Sequence, residues 1–183
     1  MRTTGIRNGL AAVLAGALVS LGGSAVAQAQ SPQGDNTTSS VAVSEAYVIK
    51  NLKSGKVLTP TSTTNGATVV QQPQADLTNE LQYWFNVLDE PYWSFENFEA
   101  GRNLGINGAS TASGAVAIIA NGSSDTNQDW TEDSSAYSGN YFALKNRKSG
   151  LCLGISGAST ANGAQAAQFP CDGSANQGWE LTH

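Results

Sequence analysis

The tripeptide Gln-x-Trp occurs three times at a nearly constant interval: Gln82-Tyr83-Trp84, Gln128-Asp129-Trp130 and Gln177-Gly178-Trp179. The glutamines stand 46 and 49 residues apart. A second landmark keeps step with them. Asn51-Leu52-Lys53-Ser54-Gly55, Asn97-Phe98-Glu99-Ala100-Gly101 and Asn146-Arg147-Lys148-Ser149-Gly150 repeat at the same 46 and 49 residues. A period of this length in three copies means one supersecondary unit made three times. One such unit is too small to bury its own apolar face, so the three must share a core. The units are expected at about 45–90, 91–138 and 139–183.

Aligned, the units predict four short strands each. The first strand carries Tyr47, Ile49 and Asn51, then Trp93, Phe95 and Asn97, then Phe142, Leu144 and Asn146. Their period of two is that of a half-buried strand. Asn followed by Ser/Ala-Gly makes a hairpin turn in which glycine supplies a positive φ. The second strand lies around Val57-Leu58, Asn103-Leu104 and Cys152-Leu153. A loop of small residues follows, longest as Ser156-Gly157-Ala158-Ser159-Thr160-Ala161-Asn162-Gly163-Ala164. The third strand is placed at Thr68 to Gln72, Val116 to Ala120 and Gln165 to Phe169. A polar loop then leads to the fourth strand at Gln-x-Trp. Short strands with turn signals every ten residues or so predict an all-β chain.

The first 29 residues stand apart from these units. Arg2 and Arg7 precede an uncharged apolar run, Leu10 to Leu21, and Ala25-Val26-Ala27 and Ala27-Gln28-Ala29 are small-x-small cleavage sites. This is the pattern of a secretory signal peptide. The run is too short for an anchor, since a span needs about 20 apolar residues. Residues 30–44, rich in Ser, Thr, Asn and Gln, read as a flexible lead-in. The folded domain is then 45–183. Without Arg2 and Arg7 the chain keeps seven basic residues against fourteen acidic, a net charge near −7. That balance argues against nucleic acid as a partner and against binding to anionic membranes. It suits a secreted, extracellular protein.

Cys152 and Cys171 both fall in the third unit. In an exported chain, an even count suggests a disulfide. Metal binding by two thiols is a poor alternative, because tetrahedral zinc takes four ligands. No cofactor is called for. Nor does the chain read as an enzyme. Its one histidine, His183, is the last residue, and no nucleophile elbow is present. Glu96 and Glu99 are close in sequence but belong to no catalytic motif. The large aromatics Trp84, Trp130 and Trp179, on inward strand positions, are expected in the core. The glutamines two residues before them are expected to satisfy buried backbone groups. Of the aromatic cluster beside Glu96, Trp93 and Phe95 are expected inside, and Phe98, on a turn, outside.

The threefold Gln-x-Trp, the Asn-x-x-Ser-Gly turn, the Gly-Ala-Ser-Thr-Ala-Asn-Gly loop and the paired cysteines together resemble the ricin B-type lectin domain. The resemblance covers 45–183. It implies a β-trefoil of three pseudo-repeats with four strands each. It also puts Cys152–Cys171 where that family has a disulfide within a repeat.

The family's sugar site, as the resemblance implies it, combines an aspartate in the second strand, an aromatic platform ending the third, and an Asn-Gln pair before the Trp. A ring with one apolar face and several hydroxyls needs such a platform and a few placed polar groups. At the aspartate position this chain has Thr59, Gly105 and Gly154. At the platform it has Gln72, Ala120 and Phe169. The Asn-Gln pair is kept as Asn127-Gln128 and Asn176-Gln177, while the first unit has Leu81-Gln82. The third unit is therefore the expected site, built from Phe169, Asn176 and Gln177, with Gly154 in place of the acid and Asp172 on the adjoining loop. Without the carboxylate, a single site should reach only about millimolar affinity, ~−4 kcal/mol. Restoring it with Gly154→Asp should strengthen binding, provided the backbone there is not using a glycine-only conformation. The expected partner is a glycan or polysaccharide of galactose or xylose type. The competing reading is a trefoil that has lost its sugar and serves as a protein-binding or inhibitor scaffold.

Overall fold

The computed structural model describes residues 45–76 and 78–183. The leader expected over 1–29 and the lead-in over 30–44 lie outside the described residues. Twelve strands follow one another: β1 (Val48–Asn51), β2 (Val57–Pro60), β3 (Val69–Gln72), β4 (Trp84–Asp89), β5 (Tyr92–Asn97), β6 (Arg102–Ile106), β7 (Ala117–Ala120), β8 (Trp130–Asp133), β9 (Ala143–Asn146), β10 (Cys152–Ile155), β11 (Ala166–Phe169) and β12 (Trp179–Thr182). Among the described residues the only helical elements are single 3₁₀ turns.

Six strands close a barrel. β4 pairs β5, β5 meets β8 at Trp93 and Trp130, β8 pairs β9, and β12 pairs β1. The remaining joints are the Tyr47–Trp84 and Phe142–Trp179 bridges. The other six strands form three hairpins, β2–β3, β6–β7 and β10–β11. Bridges from Thr68 to Ile118, Val70 to Gln165 and Val116 to Ala167 draw these hairpins together. This is the β-trefoil.

Three copies of one small set of side chains make the core. Ile49, Phe95 and Leu144 come from the first strands, Leu58, Leu104 and Leu153 from the second, and Trp84, Trp130 and Trp179 from the fourth, all fully buried. Each indole Nε1 donates to the carbonyl of its own unit's second-strand leucine: Trp84 to Leu58 (3.3 Å), Trp130 to Leu104 (3.1 Å) and Trp179 to Leu153 (2.9 Å). The ring thereby buries its area without orphaning its polar atom. Phe95 is buried and Trp93 half-buried against the core, while Phe98 is 45% exposed with its ring 5.3 Å from that of Phe85.

The turn asparagines explain why the two sequence landmarks keep step. The Oδ1 of Asn51 accepts from Lys53 and Ser54 main-chain N–H, and that of Asn146 accepts from Lys148 and Ser149. Their turns close through Gly55 and Gly150 at φ 65° and 69°, a conformation that favours glycine. The amide nitrogen of each asparagine reaches into the preceding unit, just ahead of that unit's Trp. Asn97 Nδ2 donates to the Leu81 and Tyr83 carbonyls, and Asn146 Nδ2 to that of Asn127. Asn51 Nδ2 completes the circle by donating to the Asn176 and Gly178 carbonyls. The asparagine of one unit thus locks the Trp segment of the one before it.

Two buried glutamines were not legible as such. Gln71 donates to the Ser159 and Ala161 carbonyls of the third unit, and Gln168 to those of Ser110 and Ala112 in the second. Each Oε1 accepts from a turn serine, Ser54 or Ser149, at 2.7 Å. Fully satisfied, these amides tie the small-residue loops to neighbouring units.

Candidate functional site

In the third unit the end of β11 and the approach to β12 frame one surface depression of about 360 Å³. It is lined by Phe169, Pro170, Asp172, Asn176 and Gln177, with Ile155, Gly157 and Ala158. The expected residues Phe169, Asn176, Gln177 and Asp172 therefore meet. Phe169 is half-buried at the end of β11, opposite Cys152. Its neighbour Pro170 starts a short loop whose shape is fixed at several points. Gln177 Nε2 donates to the Pro170 carbonyl (2.9 Å), and Gln177 Oε1 accepts from Asp172 N (3.2 Å). Cys171 is disulfide-bonded to Cys152, with Cα atoms 5.0 Å apart. Ser174 N donates to Asp172 Oδ1 (2.9 Å), and Tyr137 Oη donates to the Ser174 carbonyl (3.1 Å).

Asn176 accepts from Ser174 Oγ at 2.8 Å and donates to the Ile155 carbonyl at 3.5 Å. Hydrogen bonds from Ser174, side chain and then main chain, hold the Asp172 carboxyl below the usual carboxylate range. It is an anionic acceptor at neutral pH.

Gly154 lies beneath this site, and its role differs from the expected one. A Cβ built there would come within 2.9 Å of Gln177 Cγ and 3.4 Å of Asn176 Nδ2 and O. The Gln177 side chain that pins the loop occupies the space a carboxylate stem would need. Gly105 stands in the same relation to Gln128 Cγ, also 2.9 Å. Gly154 has no positive φ, so the backbone condition is met, but the packing of Gln177 against it opposes the expected gain from Gly154→Asp. The substitution should cost about 1–3 kcal/mol as overpacking, measured by denaturant melts, with no gain in sugar affinity.

The equivalent surfaces of the other units differ in kind. In the second, Ala120 replaces the platform. Asn127 is buried and donates to the Ile106 carbonyl at 3.0 Å. Gln128 donates to the Asn121 carbonyl and accepts from Ser123 N and Asn103 Nδ2. Asn127 and Gln128 are thus engaged in holding their own loop. In the first unit a wider depression of about 570 Å³ is lined by Thr59, Gln72, Gln74, Asn79 and Gln82, among others. Motif matching gave no sign of it, since this unit departs furthest from the pattern.

The alternative catalytic candidates stand elsewhere. His183 is exposed, its ring 4.7 Å from that of Tyr47 and its Nε2 3.8 Å from Glu45. Glu96 pairs with Phe85 and Asn103 across the sheet, and Glu99 sits on the following turn. None of them lines the third-unit depression.

The designed threefold-symmetric protein ThreeFoil superposes with a TM-score of 0.71 at 32% identity, over 75% of this chain and 98% of that one. The exo-β-1,3-galactanase 1,3Gal43A from Clostridium thermocellum gives a TM-score of 0.69 at 28% identity, over 75% of this chain but only 30% of the enzyme. A ricin B-like lectin of Macrolepiota procera, solved in complex with lactose, gives 0.67 at 21% identity, over 78% and 98% of the two chains, and so speaks to the fold. No curated protein sequence matches the chain. Among the described residues no helix is long and apolar enough to cross a membrane. The family described as ricin-type beta-trefoil lectin domain-like matches residues 37–120 and 126–183, and the chain belongs to it.

Proposed function

We propose that the protein is a secreted, non-catalytic carbohydrate-binding protein whose sugar site is the third-unit depression. One observation carries this reading: Phe169 at the end of β11, Asp172 on the loop after it, and Asn176 and Gln177 on the 3₁₀ turn Ala175–Gln177 line a single hollow. In it Phe169 is the platform for the apolar face of a sugar ring. Asn176 and the anionic Asp172 are the partners for its hydroxyls. A lactose-bound lectin and a galactan-cleaving enzyme among the structural relatives support a ligand of galactose type, with xylose type as the alternative.

Isothermal titration with galactose- and xylose-type oligosaccharides should give a weak one-site isotherm, with a dissociation constant of about a millimolar. Phe169→Ala should remove it while leaving the melt near wild type, because the ring is only half-buried. If glycan binding survives that substitution, the platform role is wrong. Useful affinity from so weak a site would come from several copies or a multivalent surface.

Secretion is part of the same reading. Exported protein should begin at Gln28 or Gln30, which intact-mass measurement checks. A mass that retains residues 2–21 would refute processing.

One finding favours a second reading. Gly105 and Gly154 leave no room for the family's carboxylate, as expected of a trefoil turned to protein binding. A pull-down that returns one tight protein partner, with no response on a glycan array, would decide for it.

A further inference from the structure

We propose that the third-unit site continues across the Cys171–Ser174 loop into a second depression, and that it takes at least two consecutive residues of an uncharged oligosaccharide. The inference rests on the sugar-binding reading above. The second depression, about 280 Å³, is lined by Asp133, Ser135, Tyr137, Asp172 and Gln177 around the Cys152–Cys171 bridge. Asp172 and Gln177 line both hollows, so the two meet there.

The aromatic of the second hollow comes from a different unit, on the segment between β8 and β9. The Tyr137 ring lies against Gly178. A Cβ there would stand 2.8 Å from Tyr137 Cε1 and 3.0 Å from Leu52 Cδ2. Gly178 is the middle residue of the third Gln-x-Trp, where the other units carry Tyr83 and Asp129. Only the third unit leaves this space, which is why a ring can settle beside its site. The hydroxyl of Tyr137 is committed to the Ser174 carbonyl. Ring and loop are thus held before any ligand arrives, which lowers the ordering cost of binding.

The polar groups suit sugar hydroxyls. Ser135 N donates to Asp133 Oδ1 at 3.0 Å, as Ser174 N does to Asp172 Oδ1. A carboxylate has about four acceptor positions, so each acid can still accept from a sugar hydroxyl beside its serine contacts. Hydrogen bonds from Ser135 and Ser174 hold both acids below their ordinary range. Two anions at one hollow favour neutral sugars and repel a uronate, a sialyl group or a sulfate.

The test is titration of the mature protein with a monosaccharide, its neutral trisaccharide and a carboxylated trisaccharide of the same linkage. The neutral trisaccharide should bind about tenfold tighter than the monosaccharide, and the carboxylated one more weakly than the neutral. Asp133→Ala should bring that ratio close to one without changing monosaccharide binding. Tyr137→Ala should also bring it close to one, with weaker monosaccharide binding as well because its hydroxyl helps hold the loop that carries Asp172, and Tyr137→Phe should keep the ratio. Melts of each variant identify loss of fold, and Asp133→Ala answers the question should Tyr137→Ala unfold. Equal binding of mono- and trisaccharide, or a ratio unmoved in folded Asp133→Ala and Tyr137→Ala, overturns the extension while the Phe169 site stands. If no sugar of any length binds, the underlying reading falls and the extension falls with it.

Discussion

Trp84→Ala, Trp130→Ala and Trp179→Ala should each lower the stability of the domain by ~3–5 kcal/mol. Each ring is fully buried in the shared core and fills the junction of its own unit. Truncation leaves a cavity and also strips the Leu58, Leu104 or Leu153 carbonyl of its indole donor. An unsatisfied buried acceptor adds to the loss. The threefold plan makes the comparison internal, because three equivalent positions should give similar shifts in denaturant melts. A variant that melts like wild type yet loses its ligand would move that tryptophan from the core to a binding site.

Removal of the disulfide by the double substitution Cys152→Ala and Cys171→Ala should cost ~3 kcal/mol in the loop-closure picture, for a sequence separation of 19 residues. Function should suffer alongside stability. The bridge ties the Pro170–Ser174 loop to β10, and that loop carries Asp172. Gln177 and Tyr137 still hold the loop in the double variant, so the barrel should survive with a looser site. Urea melts measure the first effect, and sugar titration below the melting range measures the second. An unchanged melt would mean that the loop is fixed by its hydrogen bonds alone.

Much of this was readable from spacing. Trp and Asn recur because each is the single residue type that solves a local problem: a large ring with one donor, and a short amide that bonds a turn on one side and a neighbouring unit on the other. Repetition turned those local solutions into a fold. The third-unit cluster was also readable, since Phe169, Asn176 and Gln177 each stand at a fixed offset from a landmark.

What was not readable depended on volumes between distant residues. Gly154 looks like a missing acid, and nothing near it in sequence says that the stem of Gln177 fills its side-chain space. Tyr137 sits in a polar stretch, Ser134 to Asn140, with the composition of an ordinary loop. Its place is set by Gly178, more than forty residues later. Gln71 and Gln168 look like surface residues, because composition does not reveal that a loop from another unit brings two carbonyls to each.

The pairing of β1 with β12 has a consequence for how such a chain matures. Val48 lies opposite Thr182 and Asn51 opposite Trp179, so the first strand of the domain waits for the last. Until residues 179–182 have been made, one edge of β1 is open, and an open edge invites pairing with the wrong chain. Asn51 likewise has no Asn176 or Gly178 carbonyl to hold. Local hairpins such as β4–β5 can form early, but closure pairs segments from opposite ends of the sequence, which slows folding. Closure of the ring therefore waits for β12, and a chain shortened to end before it would keep eleven of the twelve strands yet leave that edge of β1 open to wrong partners.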